Sequence, residues 1–453
     1  MKRTLIGIPL ILAVLTTASV AAPPQQTTGL SPVDAAAIPA NHATSADEKV
    51  LLNFRSGRKG GSPSGKLIFD GAGNLYGTTS AGGYFNPNCP NGWCGAVFEL
   101  TPTFDGKWKE IVLHDFAWGK SGSVPYSGLI FDSSGNLYGT TFEGGRGSCL
   151  FRACGVVFEL TPTTSGRWQE TVLYAFSGRD DGGSPHSELI FDTAGNLYGT
   201  TVLGGSHGLG VVFELMPTSS GTWKEKVLHS FTGGEDGGQA SGGLIFDNTG
   251  NLYGDTTRGG YGAGCGGYGC GVVFKLTPTS HGKWRETVLY SFKGAKDGAM
   301  PSGSSLIFDS TGSLYGTTGG DAEGCGGYGG CGVVFKLSPT SDGRWKETVL
   351  HTFTGGADGA LAGPALTLDS TGNVYGTAYN GGISNCAYGC GVAFKLTSTS
   401  NGEWNESVLH SFTGGNDGGN PASGLIFDSK GSLYGSTTTG GTDGWGGIFE
   451  LSP

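Results

Sequence analysis

Five aspartates recur in one context, an Asp-Gly turn: Asp181, Asp236, Asp297, Asp358 and Asp417. Carboxylates gathered in a ring near a central channel could hold a hard cation such as Ca²⁺, which takes oxygen ligands. The pattern also has a plainer use, because Asp before Gly is a strong turn pair and its carboxylate can bond its own backbone. The turn reading is preferred and the Ca²⁺ ring is kept as the alternative, with no cofactor required. Lys59 and Ser121 stand at the corresponding places nearer the N-terminus.

A single reaction needs a single constellation, so in a repetitive chain the residues that break the repeat carry the most information. Asp255 replaces a recurring Thr, with Arg258 close by, and His207 lies in an unusually short loop. Aromatics appear singly at Trp93, Trp118, Tyr126, Tyr261, Tyr379 and Trp445, where they would suit stacking on sugars or packing on peptides. Two motif matches fail on context. "GGSHG" at Gly204–Gly208 fits a nucleophile elbow and "GAGCGG" at Gly262–Gly267 fits a phosphate loop, but no helix follows either. His114, His229, His351 and His410 share one repeated place with Tyr174 and Tyr290, which marks a structural role. No catalytic set is readable.

Ten cysteines form five close pairs: Cys89/Cys94, Cys149/Cys154, Cys265/Cys270, Cys325/Cys331 and Cys386/Cys390. Five local disulfides are expected. Zinc wants four ligands, and each loop offers two with no His beside them.

These residues hang on a repeated scaffold. "GNLYGTT" stands at Gly73, Gly135 and Gly195, with near copies at Gly250, Gly312, Gly372 and Gly431. The tyrosines of the seven copies are 62, 60, 55, 62, 60 and 59 residues apart. Each unit carries four strand-like pieces, shown in the second by "SGLIFD", "GNLYGTT", "GVVFELTP" and "WQETVLYAF". Four antiparallel strands repeated seven times predict an all-β, seven-bladed β-propeller over 48–453. The last unit lacks its fourth strand, and Glu48–Phe54 ("EKVLLNF") has the Glu-to-Phe spacing of the missing piece. The N-terminal strand is therefore expected to complete the last blade, removing two open sheet edges. Alternating strands place the Cys loops and Asp-Gly turns on one face, the variable one, which is the better candidate for function.

The N-terminus reads as an export signal: Lys2 and Arg3, an apolar run from Leu5 to Leu15, and small residues that predict cleavage near Ala21. A flexible leader follows over 22–47. The expected compartment is periplasmic or extracellular. Gly makes up 88 of 453 residues and the formal net charge is −10 without basic blocks, which argues against nucleic acid. No other stretch is apolar enough to cross a bilayer, and a monomer is expected.

The blade pattern "SGLIFD…GNLYGTT…GG…GVVFELTP…W.E.VL..F" resembles the GloVer-type tandem repeat of exported bacterial proteins over about Glu48 to Pro453. Its first two strands resemble NHL-type blades more distantly. The resemblance implies a secreted repeat protein and transfers no catalytic residues. The leading functional reading is a binding module for an extracellular glycan or protein. The alternatives are a propeller hydrolase or lyase acting on a lactone or polysaccharide, and a structural envelope protein.

Overall fold

The computed structural model describes residues 46–452, apart from 56, 58, 148, 150–153, 262–264, 302, 304, 321–329 and 383–385. The expected signal peptide, nearly all of the leader, and Cys325 lie outside the described residues.

Each letter of the repeated heptapeptide has a physical use. In the first blade Asp70 accepts hydrogen bonds from the Ala72 and Asn74 amides, the Asn74 side chain and the Tyr76 hydroxyl, at 2.8–3.1 Å. Gly73 supplies the φ of +85° that closes this turn. Leu75 is fully buried. Gly77 leaves no room for a side chain, since a Cβ there would stand 2.7 Å from the Phe98 ring on the next strand. Thr78 reaches out of its blade and donates to the Ser127 carbonyl of the neighbour at 2.9 Å. The Tyr-to-Asp hydrogen bond recurs in all seven blades.

Seven antiparallel sheets result. In the third blade the second, third and fourth strands are Leu197–Leu203, Val211–Pro217 and Trp223–Ser230. The first strand is split into Gly183–Pro185 and Ile190–Phe191, both paired to the second. In the second, fourth and fifth blades the outer piece of that split strand shrinks to single bridges, such as Ser123 to Glu143. The apolar core is divided around the ring. Seven clusters lie between neighbouring blades, as where Tyr198, Val212 and Phe231 of the third meet Leu252, Phe274 and Leu276 of the fourth.

The ring closes as expected. Asp47–Asn53 pairs antiparallel with Gly447–Ser452, placing Glu48 opposite Leu451, and it starts one residue before the expected boundary. Phe54 is buried against Phe98 and the last blade.

Four of the five expected disulfides are formed: Cys89–Cys94, Cys149–Cys154, Cys265–Cys270 and Cys386–Cys390, with Cα separations of 5.1–5.3 Å. Cys331 is also disulfide-bonded, and its expected partner Cys325 is outside the described residues. Cys94, Cys154, Cys270 and Cys390 are each fully buried at 0%. The later cysteine of each pair leads into the third strand, and its side chain joins the apolar cluster between two blades. Each disulfide therefore ties a surface loop to the core. No helix among the described residues is long and apolar enough to cross a membrane.

Candidate functional site

The split first strands of all seven blades line a central channel of about 440 Å³. Strand register orders this channel by depth. Ser62, Ser80, Tyr379 and Thr438 belong to the ends of strands on the Cys-loop face, whereas Ile68 pairs with Tyr76 at the opposite end. Between these levels the residue before each buried Leu faces the channel. Five blades place Gly128, Gly243, Ser305, Ala365 and Gly424 there, but the first places Lys66 and the third Glu188. Two residues earlier on the third blade stands His186, and Tyr126 projects from the second. The Tyr126 and His186 rings are 5.3 Å apart, with Phe142 against both.

Glu188 reaches across the second blade because Gly128 has no side chain: a Cβ on Gly128 would lie 2.4 Å from the Glu188 Oε1 and 2.9 Å from the Lys66 carbonyl. Burial pushes the Glu188 pKa up against the opposing pull of Lys66. Burial pushes that of His186 down against a hydrogen bond to the Ser241 backbone. The channel therefore places Lys66, His186 and Glu188 on the first and third blades and, Tyr126 and Tyr379 apart, leaves the rest of its wall small.

The sequence-predicted residues are spread more widely. Tyr126 and Tyr379 both line the channel. Trp93 is half-buried, its ring 5.4 Å from Phe85 within the first Cys loop. Trp118 packs onto the cluster between the first two blades, and Trp445 covers Gly61 at the ring closure. His207 is exposed, its Nδ1 2.9 Å from the Ser206 hydroxyl. Arg258 lies over the Tyr268 ring at 4.8 Å, and Tyr261 is exposed with its hydroxyl bonded to Glu235. Asp255 is fully buried, at the register where threonines of other blades donate to the neighbouring blade.

The five recurring aspartates do not line the channel. Each sits at a separate junction of outer strands and is spent on its own turn. Asp236 accepts from the Thr232 amide at 2.9 Å, from the Thr232 hydroxyl, and pairs with His229 Nε2 at 3.2 Å. Asp417 repeats this with Thr413 and His410, while Tyr174 and Tyr290 donate to Asp181 and Asp297. Asp358 bonds Thr354, with His351 at 3.4 Å. The repeated His/Tyr place and the repeated Asp are thus two halves of one contact. Among the described residues no three His, Cys, Asp or Glu side chains come together as a metal-holding group.

Behind each of these aspartates stands a glutamate from the next blade's fourth strand: Glu225, Glu286, Glu347, Glu406 and, across the closure, Glu48. At the other two junctions Lys59 lies 3.9 Å from Glu110, and the Ser121 hydroxyl donates to Glu170 at 3.0 Å. Six of these seven glutamates bury an Oε1 that has no hydrogen-bond partner. Burial, reinforced by the facing aspartate, pushes Glu225, Glu286, Glu347 and Glu406 up to about 7.

Reading the sequence by the conspicuous heptapeptide missed Lys66, His186 and Glu188. Their signal is the variation just before "LIFD", where Lys, Gly, Glu, Ser and Ala alternate while the Leu stays fixed. It also missed Tyr268 and Tyr388, which stand two residues before the later Cys in "GYGC" and "AYGC" and are 66% and 61% exposed.

The family model of the Gloeobacter/Verrucomicrobia repeat matches residues 150–388. No curated protein matches the chain in sequence. Among solved structures, a protein from Lactobacillus plantarum aligns at 12% identity and a TM-score of 0.46, covering 78% of this chain and 87% of its own. A Xanthomonas campestris gluconolactonase aligns at 15% identity and 0.39, over 74% and 86% of the two chains. A putative oxidoreductase (glucose dehydrogenase) from Thermus thermophilus aligns at 13% and 0.38, over 90% and 99%. At this distance the three structures bear on no activity. The matched segment spans more than half of the chain and runs through the Cys loops and blade strands described above, and the chain belongs to the Gloeobacter/Verrucomicrobia repeat family.

Proposed function

We propose that the protein is an exported binding module that recognises a glycan on its Cys-loop face. One observation carries this reading. Among the described residues nine large apolar or aromatic side chains are exposed, and apart from Tyr126 in the channel six of them lie on that face: Tyr84, Phe85, Tyr261, Tyr268, Met300 and Tyr388. Aromatic rings present a flat apolar surface together with a polar edge, which suits the alternating CH and OH faces of a sugar. Tyr268 and Tyr388 stand inside disulfide-closed rings of six and five residues, so little loop entropy remains to be lost on binding. The disulfides fit an oxidising compartment outside the cytoplasm.

Retention of the purified protein on insoluble polysaccharides tests the reading. Binding is expected to at least one matrix and to fall about tenfold or more when Tyr261, Tyr268 and Tyr388 are all replaced by Ala. Retention that is unchanged in the triple variant, or absent from every matrix, would remove it. Release of reducing sugar in the same incubation, lost in Glu188→Gln, would replace a binding role with a hydrolytic one.

A further inference from the structure

The channel holds two charged groups that the fold does not use. The side chains of Lys66 and Glu188 both line it; Lys66 pulls on Glu188 electrostatically, and among the described residues no hydrogen bond or close ion pair is formed by either. Elsewhere several such groups are met. Lys59, Lys226 and Lys336 each meet a carboxylate, and Asp70, Asp247 and Asp369 accept hydrogen bonds within their turns. An unpaired charge in a confined, partly dry space is costly unless something arrives to meet it. The rest of the wall is selective too: apart from Tyr379 the fourth to seventh blades line it with small residues, and serine and threonine hydroxyls of the first and seventh blades stand at the entrance.

We infer that the channel is a binding site for a polyhydroxy carboxylate of monosaccharide size, a sugar acid, with Lys66 as the anchor for its carboxylate. The 440 Å³ volume admits one sugar ring with a few waters. The Tyr126 and His186 rings, tilted by 33° to each other, offer a stacking wall beside that ring. Glu188 lies over Gly128 on the Lys66 side of the channel, where it would accept from or donate to a ligand hydroxyl. A purely cationic ligand is disfavoured because it would meet the Lys66 ammonium in the same small space. This site goes beyond the proposed function, since it stands whether or not the loop face takes a glycan. The same chemistry could come from a free sugar acid or from the terminal uronate of a polysaccharide.

Titration calorimetry with glucuronate and galacturonate, against glucose and glucosamine, tests the inference on the intact mature protein. Saturable one-site binding of a uronate is expected, at least about tenfold tighter than glucose, as for a hydrogen bond to a charged group. Lys66→Met is expected to erase that preference while leaving the melting temperature and the loop-face retention unchanged. Glu188→Gln is expected to weaken the uronate and glucose alike. A uronate-capped oligosaccharide binding where the free uronate does not would assign the site to chain ends. No saturable uronate binding in either form, binding indifferent to Lys66→Met, or tighter binding of glucosamine that depends on Glu188 would each overturn it.

Discussion

A glutamate held near neutral pKa inside a folded ring is a proton store, and the blade junctions hold several. Glu110, Glu170, Glu225, Glu286, Glu347 and Glu406 are pushed up to about 7 by burial. Glu48 and Glu188 are shifted the same way. Between their unfolded values near 4.5 and these folded values, the native state carries protons that the unfolded chain has lost. Their contribution is fully present in acid and is lost as pH rises through about 7, each by at most ~1.4 kcal/mol per pH unit. Four histidines oppose this, because burial lowers His114 to about 4 and depresses His186, His229 and His351. Their charging costs stability as pH falls below 6.5. Eight carboxyls against four imidazoles leave the glutamates dominant, and above pH 6.5 they act alone. At the acid end the turn aspartates take over. Although burial raises them, amide and side-chain hydrogen bonds hold Asp247 and Asp309 at about 2, so their stabilisation is lost only below the unfolded value near 3.8. Thermal stability is therefore expected to peak near about pH 5 and to fall by several degrees by about pH 8. Replacing Glu225, Glu286, Glu347 and Glu406 with Gln should flatten that fall in scanning calorimetry. A wild-type melting temperature that is level across this range would contradict the assignment.

The Cys loop is the element that joins scaffold to proposed function. Its later cysteine leads into the third strand and is buried between blades, as Cys94, Cys154, Cys270 and Cys390 all show. Its middle is lifted into solvent, with a tyrosine on top in the fourth and sixth blades. Replacing Cys386 and Cys390 with Ser should cost about 2 kcal/mol by the loop-entropy relation for so short a ring. Denaturation midpoints read that loss, and faster amide exchange over residues 386–391 should accompany it. An unchanged midpoint and unchanged exchange would show that the loop is held without its disulfide. The pairing was legible in the sequence because each pair is local and the cysteines are even in number. The depth of Cys94 and its counterparts was not, because it depends on the neighbouring blade. Nor was the exposure of Tyr268 and Tyr388, because "CGGYGC" says nothing about which way its tyrosine turns.

At the scale of the whole ring, one strand carries the closure. Asp47–Asn53 supplies the fourth strand of the last blade, and Leu51 and Phe54 enter the apolar layer between the last and first blades. Removing residues 1–54 would forfeit about 3–6 kcal/mol from those two side chains alone. It would also bare the Gly447–Ser452 edge, inviting association. A lower melting temperature and concentration-dependent oligomers by light scattering are the expected results. A truncated protein that melts as before and stays monomeric would show that the ring does not depend on its first strand.

The chain by itself determined the blade count, the strand order within a blade, the closure and the formed disulfides. Each of these depends on contacts local in sequence or on a repeat that announces its own period. Tertiary structure alone decided which residues meet in the channel. Lys66, Tyr126 and Glu188 lie some 60 residues apart on three blades and become neighbours only when seven first strands converge on one axis. The same convergence explains why the recurring aspartates, equally regular in sequence, stay apart. They sit at the outer strands, where the circumference is widest and a shared cation has nothing to bridge.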